Sequence, residues 1–73
     1  MKYRDARKLS MGDVVARKSD SKIFTVLSIE AYGQYKECRI NCCLLPSLER
    51  SETIYVSFFN EEVEHAPLNI CQK

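Results

Sequence analysis

The amino-acid sequence predicts an all-β protein: a small five-stranded antiparallel barrel behind a short N-terminal arm. Three observations carry that prediction. Five short runs rich in Val, Ile, Phe, Tyr and Cys alternate with tight polar turns. Beyond the N-terminal segment no stretch shows the periodicity of an amphipathic helix. An open sheet of so few strands would also leave two bare edges, which closure removes. With 73 residues, 45% hydrophobic and 29% charged, the chain holds enough apolar side chain for one domain and too much for a disordered segment.

Residues 1–8 read as a basic arm, 9–66 as the barrel and 67–73 as a C-terminal tail. In the arm, alternating charges imply a solvated, frayed terminus. Asp5 to Met11 has room for one or two helical turns, with Leu9 and Met11 covering the barrel's open end. Met11-Gly12-Asp13 is a turn that launches a first strand over Val14 to Lys18, and Ser19 to Lys22 is the next turn. Ile23 to Ala31 has strong β propensity and forms the second strand. Gly33-Gln34, between Tyr32 and Tyr35, matches a two-residue hairpin with glycine first, which pairs the two tyrosines on one face. Lys36 to Leu45 returns as the third strand, and Pro46 to Ser51 is a loop. Glu52 to Phe58 is the fourth strand. Asn60 to Glu62 is a tight turn with 3₁₀ character before a short last strand at Val63 to His65, which Pro67 stops.

Side-chain alternation orients these strands. Cys38, Ile40, Cys42 and Leu44 face the core, while Glu37, Arg39, Asn41 and Cys43 face out. On the fourth strand Ile54, Val56 and Phe58 face in, and Tyr55 and Ser57 face out. The second strand does not keep one phase. Ile29 and Ala31 belong inside, yet so do Phe24 and Val26, and a bulge near Ser28 reconciles them.

Lys+Arg is 11 and Asp+Glu is 10, so net charge supplies no bulk attraction to nucleic acid or anionic membrane. Charge is uneven, with residues 1–22 carrying +4 and residues 23–73 carrying −3. No run approaches a membrane span, and the first residues lack the apolar core of a secretory signal. The chain therefore reads as cytoplasmic, where Cys38, Cys42, Cys43 and Cys71 are free thiols. A domain of this size buries about 60% of its unfolded surface, which implies a stability of roughly 3–5 kcal/mol.

Catalysis and metal binding find few parts. Cys38 and Cys42, with His65 and Cys71, have tolerable ligand spacing. On a strand, however, residues four apart lie about 13 Å apart, too far to share one ion. No metal or other cofactor is expected. Cys38 and Cys42 are then small buried apolar groups, with Cys43 and Cys71 incidental. His65 reads as a surface residue beside Glu64, since a Cys–His pair also needs an oxyanion donor and a pocket. Glu61, Glu62 and Glu64 form a solvated acidic cluster. No phosphate-binding glycine loop is present, because Gly12 and Gly33 both serve turns. The chain reads as a non-enzyme.

Leu9-x-x-Gly12-Asp13-Val14-Val15, Lys18, Phe24-Thr25-Val26 and Ile29 resemble the opening of many SH3-like barrels. Together with Ile40-x-Cys42, Phe59 and Glu62-Val63-Glu64, they resemble the YodC-like family of short uncharacterised bacterial proteins. The resemblance spans Leu9 to His65 and implies an SH3-like fold with no activity or site residues. This chain departs from the family pattern in having Asp20-Ser21-Lys22 at the turn before the second strand, no Trp after the cysteine and a longer third strand.

The remaining signal is basic residues interleaved with exposed tyrosines. Arg17, Lys18 and Lys22 flank the first turn, Tyr32, Tyr35 and Lys36 form the hairpin tip, and Tyr55 faces out from the fourth strand. The expectation is a binding module that offers an edge strand and aromatic anchors to a protein partner or to a second copy in a homodimer. The alternative is a weak, salt-sensitive nucleic-acid binder using Arg4, Arg7, Lys8, Arg17, Lys18 and Lys22.

Overall fold

A computed structural model of the chain describes residues 1–46, 48 and 51–66. A short helix α1 (Tyr3–Ala6) precedes strands β1 (Val14–Arg17), β2 (Ile23–Tyr32), β3 (Glu37–Leu44) and β4 (Ile54–Phe59). A 3₁₀ turn (Asn60–Glu62) then leads to β5 (Val63–His65). All pairings are antiparallel, and the five strands form one sheet in the order β4-β3-β2-β1-β5. The all-β architecture is as the sequence implies.

The bulge expected near Ser28 is present. Val26 pairs with Cys42 and Ser28 with Asn41, so Leu27 is the extra residue. That insertion puts Phe24, Val26 and Ile29 on the same face despite their spacing. On this inner face Val15, Phe24, Val26, Cys38, Ile40, Cys42, Phe58 and Val63 are buried together. The Phe24 and Phe58 rings meet edge to face, with centroids 5.1 Å apart.

Gly12, at φ +97°, makes the turn into β1 that a side chain would strain. Its N–H donates to the Val26 carbonyl, and the Val26 N–H donates to that of Asp13, so the turn is tied to β2.

The hairpin between β2 and β3 differs from the expected two-residue turn. Tyr32 pairs with Glu37, leaving a four-residue loop. The left-handed residue is Lys36, at φ +53°, and not Gly33. Tyr35 therefore does not pair with Tyr32, and Lys36 belongs to the loop and not to β3. Gly33 serves a different need, since a Cβ there would come within 3.3 Å of the Tyr3 hydroxyl.

Three inward expectations also fail at element ends. Ala31 and Ile54 sit on the inner face but are exposed, because the strands run past the core there. Met11 is 78% exposed and covers nothing. Helix α1 does that work, starting earlier than Asp5 to Met11, with Met1, Tyr3, Ala6 and Leu9 packed on the core. The N terminus is anchored where the sequence implied a frayed arm, because the Met1 amine donates to the carbonyls of Asn60 and Val63.

Asn60 is the buried polar side chain among the described residues. Its Oδ1 accepts the Cys38 N–H at 2.9 Å, and its Nδ2 donates to the Met1 carbonyl at 2.9 Å. It thus joins β3, the 3₁₀ turn and the N-terminal segment. Asn60→Ala strands a buried N–H and should cost about 1–3 kcal/mol in urea unfolding. Lys36→Gly relieves the left-handed backbone and should raise stability by about 0.5–1 kcal/mol in the same measurement.

Candidate interaction surface

The residues singled out for binding fall at separate places. Arg17, Lys18 and Lys22 surround the β1–β2 turn at one end of β2, and Tyr32, Tyr35 and Lys36 lie at its other end. The ten residues of β2 span on the order of 30 Å between the two groups. Tyr55 lies on a third element, β4.

At the first turn Ser21 takes a left-handed conformation, φ 63°, and Asp20 organises the rest. Its carboxylate accepts from Arg17 Nε at 2.9 Å, from Arg17 Nη2 at 2.5 Å and from the Lys22 N–H at 3.1 Å. These bonds, the Arg17 pair first, hold the Asp20 carboxyl down at about 2. The Arg17 guanidinium also stacks over the Phe24 ring, 5.2 Å from its centroid. Arg17 is thus a structural cation, while Lys18 and Lys22 are exposed and Lys18 lines a groove with Ser19, Phe58 and Glu62. Among the N-terminal cations Arg7 lies over the Tyr3 ring and Arg4 lies beside Asp5, and Arg4, Arg7 and Lys8 are all exposed.

Cys38 and Cys42 are buried as expected, at 0% and 1% exposure. Burial pushes the Cys42 thiol up to about 11, with neighbouring Cys43 adding to the shift, and burial also raises Cys38. Cys43 corrects the sequence reading. It has outward parity, yet it is 4% exposed, flanked in the sheet by Thr25 and Tyr55. Cys71 lies outside the described residues, as do the tail 67–73 and residues 47, 49 and 50 of the loop after β3. His65 is exposed beside Leu9 and Val14, and no described cysteine lines that groove.

The outer face of β4, β3 and β2 carries a polar ladder that sequence reasoning missed. Ser57 Oγ donates to Asn41 Oδ1 at 2.7 Å, and Asn41 Nδ2 donates to Ser28 Oγ and Glu30 Oε2. The Tyr32 hydroxyl donates to Glu30 Oε1 at 2.6 Å. The Tyr32 and Asn41 bonds hold the Glu30 carboxyl below the usual range. Cross-strand adjacency on the outer face makes this ladder possible, and period-two parity identifies its members once the strand register is known.

Beside the ladder, Tyr55 and Phe59 are 74% and 48% exposed on β4, at the end of the sheet order. Phe59 shares the outward parity of Tyr55 and Ser57, a signal available in the sequence had the strand been extended by one residue. The edge of β4 is legible at the atomic level. The Phe59 N–H donates to Glu62 Oε1 at 2.8 Å, so it points away from β3. Alternation then turns the N–H and C=O groups of Ser57 and Tyr55 the same way, outward from the sheet. Among the described residues no strand pairs with that side of β4.

Comparison with protein-family models, curated proteins and solved structures finds no match for the chain.

Two expectations follow. Cys38, Cys42 and Cys43 should stay unreactive toward a thiol reagent at neutral pH until denaturant unfolds the chain, as measured by thiol counting. The Asp20 carboxyl is depressed on folding, so its contribution is present above the ordinary value near 4 and is lost as pH falls toward about 2. The stability difference between the wild-type chain and Asp20→Asn should accordingly close over that interval in urea titrations.

Proposed function

We propose that this chain is a small non-catalytic binding module with an SH3-like barrel fold, and that it recognises a protein partner by strand addition along β4. The strand order, the bend in β2 and the 3₁₀ turn before the last strand support that fold. The YodC-like resemblance agrees with it and supports a bacterial origin, and the buried free thiols are in keeping with a cytoplasmic location. No helix among the described residues is long and apolar enough to cross a membrane.

One observation carries the binding reading. The six residues of β4 contain no charge and no proline, and among the described residues no strand pairs with the outward main-chain groups of Tyr55 and Ser57, which lie between the exposed Tyr55 and Phe59 rings. Proteins usually blunt such an edge with charge, proline or a covering element, so an edge left open is a place for another strand. Main-chain bonds supply affinity and the aromatic pair supplies anchors. A nucleic-acid role draws less support, because Arg17 is committed to Asp20 and Phe24 and the other cations are dispersed.

The test is affinity capture from host extract with the immobilised chain and with Tyr55→Lys as the edge-blocked control. Specific partners should be reduced about tenfold or more on the variant, a loss of roughly 1.4 kcal/mol. Identical retention by both would refute strand addition. Binding of a labelled single-stranded oligonucleotide that falls steeply between about 50 and 200 mM salt would establish the nucleic-acid alternative instead.

A further inference from the structure

We propose that the strand taken up by β4 is the β4 of a second copy, paired antiparallel about a two-fold axis at Val56. The inference rests on reading β4 as a docking edge, and it adds the identity of the occupant and the register.

Glu62 sets that register. Its carboxylate already holds the Phe59 N–H, so the free part of the edge ends at Ser57 and consists of the main-chain groups of Tyr55 and Ser57. An axis at Val56 sets Tyr55 opposite Ser57 of the partner subunit, and Ser57 opposite Tyr55 of the partner subunit. Each such pair exchanges both its N–H···O bonds, and the Glu62 bond is left in place. Moving the axis to Ser57 would need the Phe59 N–H and would set Glu52 against Glu62 of the partner subunit. With the axis at Val56, Glu52 faces Asn60 of the partner subunit, and no like charges meet. Moving it instead to Tyr55 carries the pairing past Ile54, where β4 begins.

The side chains are self-complementary in the same register. On the inner face Ile54, 41% exposed, comes opposite Phe58 of the partner subunit, and Val56 meets its symmetry mate. On the outer face Tyr55 lies diagonal to the partner's Tyr55 and the partner's Phe59, within reach of aromatic rings. A two-fold contact uses every interaction twice and closes both open edges at once, whereas a head-to-tail contact would leave one edge bare. The other end of the sheet is less exposed to pairing. β5 has three residues, and Met1 already bonds the Val63 carbonyl. One strand pair is a small interface, below the ~1,200 Å² of standard complexes, so the dimer should dissociate on dilution with a midpoint on the order of 10–100 µM.

Sedimentation velocity of the full chain from about 5 to about 500 µM tests this directly. The expected result is a monomer–dimer equilibrium that Tyr55→Lys shifts to monomer over the whole range. Tyr35→Lys, the same charge change at the hairpin tip, should leave it intact. Unchanged thermal melting of dilute Tyr55→Lys shows that the monomer is folded. If that variant unfolds, Ser57→Pro replaces it, because its lost N–H points away from β3. A monomer at every concentration overturns the inference, and so does a dimer that survives both edge variants. In either case capture of partners that still depends on Tyr55 would leave the docking role of β4 standing.

Discussion

One extra residue in β2 holds the fold together. A strand of ten residues that pairs with β1 at its start and β3 along its length must serve one core through both halves. Strict alternation would put either Phe24 and Val26 or Ile29 on the wrong side. The bulge at Leu27 resets the phase, so Val26 and Ile29 both face inward while the strand bends. In a chain this short there is no second layer to absorb a misplaced set of apolar side chains, so the core exists only with the bulge in place.

The buried inner face of the sheet is covered by polar as well as apolar contacts from the N-terminal segment. Tyr3, Ala6 and Leu9 close over the core, and the Asn60 amide fixes the seam by satisfying groups on β3 and at the chain's start. Asn60 stands where β4 gives way to the 3₁₀ turn, and two residues on, Glu62 bonds the Phe59 N–H in the manner of a capping box. The same few residues therefore end β4, anchor the N terminus and define how much of the β4 edge remains open. The stability of the turn and the shape of the candidate docking edge are consequences of one piece of local chemistry.

Much of this was legible in the chain. The alternation of Cys38, Ile40 and Cys42 against Glu37, Arg39 and Asn41 is strong enough to fix the faces of β3. The clash of phases in β2 locates the bulge. Other features were hidden because they depend on residues distant in sequence. Gly33 looks like the residue a left-handed turn needs, yet that position went to Lys36, and Gly33 instead lies close against the Tyr3 hydroxyl. Arg17 looks like a free cation until Asp20 and Phe24 are found around it. Cys43 has the parity of a surface residue and is buried all the same.

The sequence by itself determined the class of fold, the five strands and most of their inward faces, because those follow from period-two patterning and turn chemistry, which act over a few residues. Tertiary structure decided which edge stays open, which cations are already paired and what seals the end of the sheet. Those outcomes depend on strand order and on contacts such as Met1 with Asn60, 59 positions apart, for which no local pattern in the chain is a guide.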